Sequence, residues 1–361
     1  MAEPVRLVVV GAGLVGKRHV TAIRRSKAAE LAAVVEPGAD GAAYAAAQGV
    51  PHFATLDEMF DRIAPDGVIL STPTPLHLGQ GLDCIAHRCP VLIEKPLAVT
   101  AEEARRLSRA AQEAGLPVLV GHHRRHNPLV QKAAAMIGDG AIGEIRAVQA
   151  TCWFYKPDDY FDIAPWRKNK GAGPISVNLV HDIDLMRHLC GEVVSVQAQA
   201  TPSRRGYENE DVAAAVLRFA NDAVGTITVS DAVVSPWSWE LTSREYPIYP
   251  ATMQSCYLLG GSEGSLSLPD LSLWTHQGGR SWWNPISATT LPRDASDPLD
   301  NQIGHFVDVI RGRAAPLVSA DEGYRTMRVI EAIQSAARTG QTVDLRSAPQ
   351  DDAPQVSVIA R

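Results

Sequence analysis

Apolar positions in the first 121 residues fall into short runs separated by stretches with a helical period. Arg6–Val10 is one such run and ends at Gly11, after which helix-like periodicity carries from Val15 into Ile23. Leu31–Val35 is the next run. An alanine-rich helix is predicted over about 40–48, and His52–Ala54 reads as a brief strand. Val68–Ser71, Val91–Ile93 and Val118–Val120 continue the series. Between the last two, Thr100 and Glu103 form a capping box that opens a helix reaching about Ala114. Strands alternating with helices of this length imply βαβ units and a parallel sheet.

The pattern changes after Gly121. A helix is predicted from Pro128 to Ile137, followed by a strand over Ile145–Tyr155 rich in β-branched and aromatic residues. Gly171–Gly173 reads as a loop, with a helix beyond it to about Leu189. Val193–Ala200, Ala213–Phe219 and Val224–Ser230 read as successive strands. Residues 235–300 resist assignment because Pro, Trp and Ser crowd them. Two helices, about 300–311 and 319–337, close the chain's periodic part. All seven tryptophans lie after residue 150, a shift that supports a boundary near residue 121. The expected organisation is a nucleotide-binding domain over 1–121, a substrate-binding and oligomerisation α/β domain over 122–345, and a polar tail over 346–361.

Composition narrows the partners. A length of 361 residues suits two domains, and 45% apolar with 20% charged residues is ordinary globular composition. The formal charge of −6, without a basic block, argues against a nucleic-acid partner. No apolar run approaches the roughly 20 residues needed to span a bilayer. The N-terminus runs straight into a strand, without a signal peptide's apolar stretch. Five cysteines, an odd number without a CxxC pair, read as reduced thiols of a cytoplasmic protein.

The first chemistry sits at Gly11-Ala12-Gly13-Leu14-Val15-Gly16, which fits GxGxxG. That pattern is weak alone, but here it follows a strand and opens a helix. Gly11 suits a tight turn, Gly13 close approach of a pyrophosphate, and Gly16 close helix–strand packing. The helix start at Leu14 and Val15 offers free N–H groups to phosphate. Glu36 ends the second strand about 20 residues on, where a carboxylate accepts from both ribose hydroxyls and repels a 2′-phosphate. NAD is therefore expected over NADP. Ser71-Thr72-Pro73 follows the fourth strand at the carboxyl edge of the sheet, where ligands bind in such folds. Lys95 lies at the end of another buried strand, placed to hydrogen-bond a substrate oxygen beside the nicotinamide and stabilise alkoxide charge. Glu94 is placed to orient it or to contact ribose.

Several landmarks occur in order: Gly11–Gly16 with His19, Ser71-Thr72-Pro73 with His77, Glu94-Lys95-Pro96, and His181 within His-Asp-Ile-Asp. Together they resemble the glucose–fructose oxidoreductase/inositol dehydrogenase (Gfo/Idh/MocA) family over roughly residues 5 to 345. The resemblance implies an N-terminal Rossmann domain, a parallel doubly wound sheet, and a C-terminal α/β domain with a large, mostly antiparallel open sheet. It implies a nicotinamide cofactor and a polyhydroxylated small-molecule substrate, and a homodimer or homotetramer packed through that sheet. It also adds His77 and Glu94 to the cofactor-binding set, with Lys95 and His181 converging on one substrate oxygen. Histidine titrates near neutrality, so His181 is suited to exchange the hydroxyl proton.

One departure stands out. Many family members carry an aspartate four residues before this histidine, where the present chain has Val177. Asn178 lies next to it and is a candidate substrate contact, and Asp182 or Asp184 are alternatives for orienting the ring. The family also often has an arginine and Asn-Pro at the domain junction, matched by Arg125 and Asn127-Pro128. His122, His123 and His126 crowd that segment, but their spacing fits no zinc signature, so no metal is expected. His123 and Arg125 join Trp166 and Arg167 as substrate-binding candidates, the last pair as a stacking ring and a bidentate carboxylate ligand on the pocket rim. Lys156, Tyr160, Trp237 and Trp282-Trp283 are weaker candidates for which packing is the simpler role. The leading expectation is an NAD(H)-dependent oxidoreductase of a sugar, cyclitol, sugar acid or related polyol. Alternatives are an aromatic dihydrodiol dehydrogenase, a glycosidase using transient oxidation by held NAD, and a non-catalytic nucleotide-binding sensor, which the missing aspartate would suit.

Overall fold

The computed structural model describes residues 3–292, 294 and 296–346, so the tail expected from 346 onward lies, beyond Arg346, outside the described residues. The first part runs β1 (Val5–Val10), α1 (Leu14–Arg25), β2 (Ala29–Val35), α2 (Ala39–Gln48), β3 (His52–Phe53), α3 (Leu56–Arg62), β4 (Gly67–Leu70), α4 (His77–Ala86), β5 (Val91–Ile93), α5 (Ala101–Ala114) and β6 (Val118–Val120). Its six strands lie in the order β3-β2-β1-β4-β5-β6, and their pairings are parallel. Helices cover both faces, so β4, β5 and β6 are buried at every position, which is why they read as unbroken apolar runs. The strand order reverses between β1 and β4, and a ligand crevice opens there at the carboxyl ends. At α5, the Thr100 side chain accepts from Glu103 N at 3.1 Å as expected, while the Glu103 carboxylate takes the N–H of Val99 rather than that of Thr100.

The second part runs α6 (Pro128–Gly138), β7 (Ile145–Trp153), α7 (Asp158–Asp162), α8 (Pro174–Val177), α9 (Leu179–Cys190), β8 (Val193–Pro202), β9 (Glu210–Phe219), β10 (Val224–Ser230), α10 (Trp239–Thr242), β11 (Tyr257–Gly261), β12 (Gly264–Leu268), β13 (Ser272–His276), β14 (Ile286–Thr290), α11 (Pro298–Ile310), α12 (Ala320–Thr339) and β15 (Val343–Asp344). Nine strands form one sheet in the order β14-β13-β12-β11-β7-β10-β9-β8-β15. The β7–β10 pair is parallel and the other pairings are antiparallel. One face packs on α6, α9 and α12 through a core that includes Val148, Ala150, Leu217, Ile227, Ile183 and Ile333. The other face is open. Residues 235–300, unassigned from sequence, supply β11–β14.

The helix predicted beyond Gly173, to about Leu189, is two helices. Pro174 opens α8, the chain breaks at Asn178, and α9 starts afresh at Leu179. The two domains share a boundary less simply than a cut at residue 121 suggests. α11 packs Leu299, Ile303, Phe306 and Val307 against Leu7, Val9, Ile69 and Leu92 of the first sheet. Arg25 of α1 clasps Asp297 and Asp300 at 2.8 and 2.7 Å.

Candidate functional site

The glycine turn is built as its sequence requires. Gly11 has φ +92°, and a Cβ there would lie 2.6 Å from the Ser71 carbonyl oxygen. A Cβ on Gly16 would lie 1.8 Å from the Gly11 carbonyl oxygen, so helix and turn touch backbone to backbone. A Cβ on Gly13 would meet nothing within 4 Å. α1 starts at that glycine without a side-chain cap, leaving its first N–H groups toward open space. Leu14 and Val15 are exposed beside it. A bare cradle, free donors and uncovered apolar side chains fit a dinucleotide's pyrophosphate and its flanking sugars. The Glu36 carboxylate accepts from Ala12 N, which fixes the acid at the end of β2 beside the turn.

The Ser71–Pro73 turn is braced rather than free. Ser71 Oγ donates to the Val10 and Gly11 carbonyls at 2.9 and 2.8 Å, and Thr72 Oγ1 bonds Gln80 at 2.6 Å. His77, expected to touch cofactor, is instead buried with its two ring nitrogens on the carbonyls of Thr72 and Pro96. It ties this turn to the Lys95-Pro96 turn, because burial leaves its ring only backbone partners. Glu94 is likewise committed: its Oε1 lies 2.7 Å from His19 Nε2 and its Oε2 accepts from Lys95 N. Burial would raise this carboxyl, but the His19 hydrogen bond and the charges of His19, His123 and Lys95 outweigh it and hold the group near 2. The carboxylate thus stays ionised beside Lys95. The Lys95–Pro96 peptide is cis. The Lys95 amine is lowered from its ordinary value, chiefly by burial, with Glu94 opposing and Arg124 and Lys156 adding to the effect.

The histidine-rich junction disperses its side chains. His122 is buried and makes no hydrogen bond through Nδ1, and burial with the charges of Arg125 and Lys95 pushes it to about 4 against the pull of Asp184. His126 packs toward His305. His123 turns to Glu245, Nε2 to Oε1 at 2.7 Å, and its ring meets that of His181 edge-on at 5.4 Å. Arg124 spans Asp182 and Glu240 at 3.2 and 2.6 Å. Arg125, expected to bind substrate, is a buried structural ion instead. It grips Asp184 with two hydrogen bonds of 2.8 and 2.7 Å and Glu322 with a third. Burying a guanidinium demands such pairing, and it leaves little of the fork for a ligand.

His181 lies on the first turn of α9, buried, with Nδ1 unpartnered. Asp184 is occupied by Arg125, and Asp182 by Arg124 and Tyr257, so neither expected carboxylate orients the ring. Burial, then Lys95, Arg124, His123 and His122, holds His181 well below its ordinary value. Val177 is half-buried. Asn178 Oδ1 accepts from Lys156 Nζ at 2.7 Å, and Lys156 also faces Asp231 at 3.5 Å. Lys156, a weak candidate by sequence, is therefore part of this cluster. Arg167 stacks 3.9 Å over the Tyr160 ring and donates to the Tyr160 carbonyl, so it is turned inward rather than held out as a fork. Trp166 is 55% exposed, which rules out a core role for it.

Glu240 and Glu245 were not legible as site residues. They come from a segment without periodicity, and Glu245 sits 122 residues from its partner His123. Glu240 leaves its Oε2 buried and unpartnered.

A bare glycine cradle at the start of α1 and a strand-end acid beside it mark a dinucleotide-binding protein. Residues 5–122 match the model of the oxidoreductase family with an NAD-binding Rossmann fold, and residues 130–267 match the GFO/IDH/MocA C-terminal domain. The chain belongs to the Gfo/Idh/MocA family. It is similar to a rhizopine catabolism protein MocA of Rhizobium meliloti, 28% identical over 91% of this chain and 93% of that one. It is also similar to an inositol 2-dehydrogenase of Saccharopolyspora erythraea, 27% identical over 95% and 96%. Among solved structures it resembles the WlbA dehydrogenase of Bordetella pertussis in complex with NADH and UDP-GlcNAcA, with a TM-score of 0.77, 25% identity, and 96% and 100% coverage. The chain is thus an NAD-binding oxidoreductase. Among the described residues no helix is long and apolar enough to cross a membrane.

Proposed function

We propose that the protein moves hydride between NAD(H) and a hydroxyl or carbonyl carbon of a sugar, cyclitol, sugar acid or related polyol. The feature that carries this reading is Lys95, which follows β5 at the carboxyl edge of the first sheet, with its charge acting on the buried ring of His181. Bound NAD supplies the hydride acceptor. Gly11, Gly13, Leu14, Val15 and Gly16 receive its pyrophosphate, and Glu36 its ribose hydroxyls, which favours NAD over NADP. Lys95, with its proton loosened by burial, hydrogen-bonds the substrate oxygen and meets alkoxide charge as it develops. His181, kept neutral, accepts the hydroxyl proton in oxidation. Asn178, His123 and Trp166 line the approach. The name of one relative, inositol 2-dehydrogenase, supports a cyclitol-type substrate.

A second copy is proposed to cover the open face of the large sheet. Val216, Thr226, Gln149 and Leu258 lie in one cross-strand row there, exposed, with Val224 and Trp274 nearby. Light scattering after size exclusion tests it, and a monomer at micromolar concentration refutes it.

The test of function is absorbance of reduced nicotinamide with NAD or NADP and a panel of inositols, sugars, sugar acids and dihydrodiols. Turnover of one polyol class is expected. Lys95→Ala and His181→Ala should each lower kcat about 10²–10⁴-fold while NAD still binds. NAD binding without turnover of any member would instead favour a sensor.

A further inference from the structure

One turn before His181 stands Val177, which cannot hold a proton, and neither aspartate of α9 orients the ring, since Arg125 holds Asp184 and Arg124 and Tyr257 hold Asp182. The ring's Nδ1 is buried without a partner, and the surrounding positive charge opposes protonation. A group that takes a proton here needs somewhere to send it.

That place stands next to it. His123 Nε2 lies 2.7 Å from Glu245 Oε1. Glu245 Oε2 accepts from Asn127 Nδ2 at 2.8 Å and from Trp239 Nε1 at 2.9 Å. Both donors are themselves fixed. Asn127 caps α6 through its Oδ1, which aims its amide nitrogen at the carboxylate. Trp239 is buried and stacked on Tyr257. The chain delivers Glu245 through a turn in which Arg244 takes φ +61°, an unusual conformation for a residue other than glycine. Burial works to raise the Glu245 carboxyl, but His123, Arg124 and the donated hydrogen bonds hold it near 2. A carboxylate has no proton to donate, so a neutral His123 carries its proton on Nε2, facing Glu245, and leaves Nδ1 with its lone pair. Nδ1 makes no hydrogen bond among the described residues.

We propose that His123, positioned by Glu245, is the residue that holds the proton His181 gives up. The inference rests on the oxidoreductase reading above. In oxidation, the C–H hydrogen leaves with its electron pair for the nicotinamide. The O–H electron pair becomes the second carbon–oxygen bond. No hydrogen bond joins the rings of His181 and His123, which meet edge-on with centroids 5.4 Å apart, so the released proton crosses from His181 to Nδ1 of His123 as the two rings approach, and the Glu245 carboxylate balances the imidazolium. In reduction the same proton returns. The ring's charged surroundings are Glu245 and Glu94, with Arg124 and His126 on its own segment and His181 on α9. Glu245 touches no reacting atom and is a positioning residue.

Two measurements test this. Nitrogen-15 NMR of histidine-labelled protein without nucleotide reads the tautomer of His123. The Nε2–H form should predominate, and Glu245→Gln should abolish that preference. A mixture in the wild-type protein, or no change in Glu245→Gln, overturns the pairing. Turnover of myo-inositol, D-glucose and D-gluconate is then compared for wild type and His123→Gln. The variant should lose about a hundredfold in kcat with KM little changed, and tryptophan fluorescence should report unaltered NAD binding. A wild-type protein inert to the whole panel refutes the polyol reading and this inference with it. An active wild type with a His123→Gln rate close to its own refutes the inference alone.

Discussion

Gly13 and Gly16 lie three residues apart in one turn, and alanine should injure them in opposite ways. At Gly13 the added Cβ meets no atom within 4 Å, and φ is −70°, ordinary for any residue. Folding should therefore tolerate Gly13→Ala, with a gain of roughly 0.4–1 kcal/mol from the stiffer unfolded chain. The methyl group does fill the space reserved for pyrophosphate. Losing one hydrogen bond to a charged group costs about 1.5–3 kcal/mol, which weakens NAD binding roughly 10- to 150-fold. At Gly16 the Cβ falls 1.8 Å from the Gly11 carbonyl oxygen and 2.7 Å from Ser71 Oγ. The first of these is backbone and cannot swing aside, so Gly16→Ala should destabilise by at least the ~1–3 kcal/mol of ordinary overpacking. Thermal unfolding without nucleotide and fluorescence titration with NAD separate the two effects. A Gly13→Ala protein that binds NAD as tightly as wild type would refute the cradle, and an undiminished melting temperature for Gly16→Ala would refute the close contact.

Glu36→Ala should weaken NAD far more than NADP, and equal losses measured by calorimetry would remove the ribose contact. Stability should fall as pH drops from 7 toward 3. His122, held near 4, lets the unfolded chain bind a proton first from about its ordinary 6.5 downward. Glu94, held near 2 against an ordinary 4.5, contributes stability that is present above 4.5 and lost as pH falls toward 2. At 1.36 kcal/mol per unit that is on the order of 3 kcal/mol, and Glu94→Gln should flatten the acid end of a melting-temperature profile. Lys156→Met should cost less than the roughly 3–5 kcal/mol of a broken buried pair, because Arg205 still faces Asp231 at 3.2 Å. A urea-unfolding loss above that range would refute the shared pairing.

The nucleotide half was readable because its strands are buried on both faces and its glycines are forced by backbone contacts within about 60 residues. Its two missed helices, Leu56–Arg62 and His77–Ala86, follow short connections. The first is only seven residues long, too brief for a periodic signal, and the second starts behind the Pro73–Pro75 turn. The large sheet was half readable. β9 and β10 alternate cleanly, whereas β11 and β12 spend glycine and serine on positions that only their neighbours make regular. Lys95 and His181 stand in recognisable words of sequence. Glu240 and Glu245 do not, since their meaning arises only once Arg124 and His123 come within reach. Arg125 misled because its motif marks a residue the fold requires, and a structural ion pair and a ligand contact look identical in sequence.

The docking of α11 on the first sheet has a consequence for how the chain is made. The apolar face that Leu299, Ile303 and Phe306 cover belongs to strands complete by residue 120. A ribosome adding about 5–20 residues each second leaves that face bare for roughly 10–40 seconds. During that interval the nascent nucleotide domain offers a sticky surface to chaperones and to its neighbours on the same message. Slowing translation between the two segments should therefore lower soluble yield while leaving the finished protein's stability untouched.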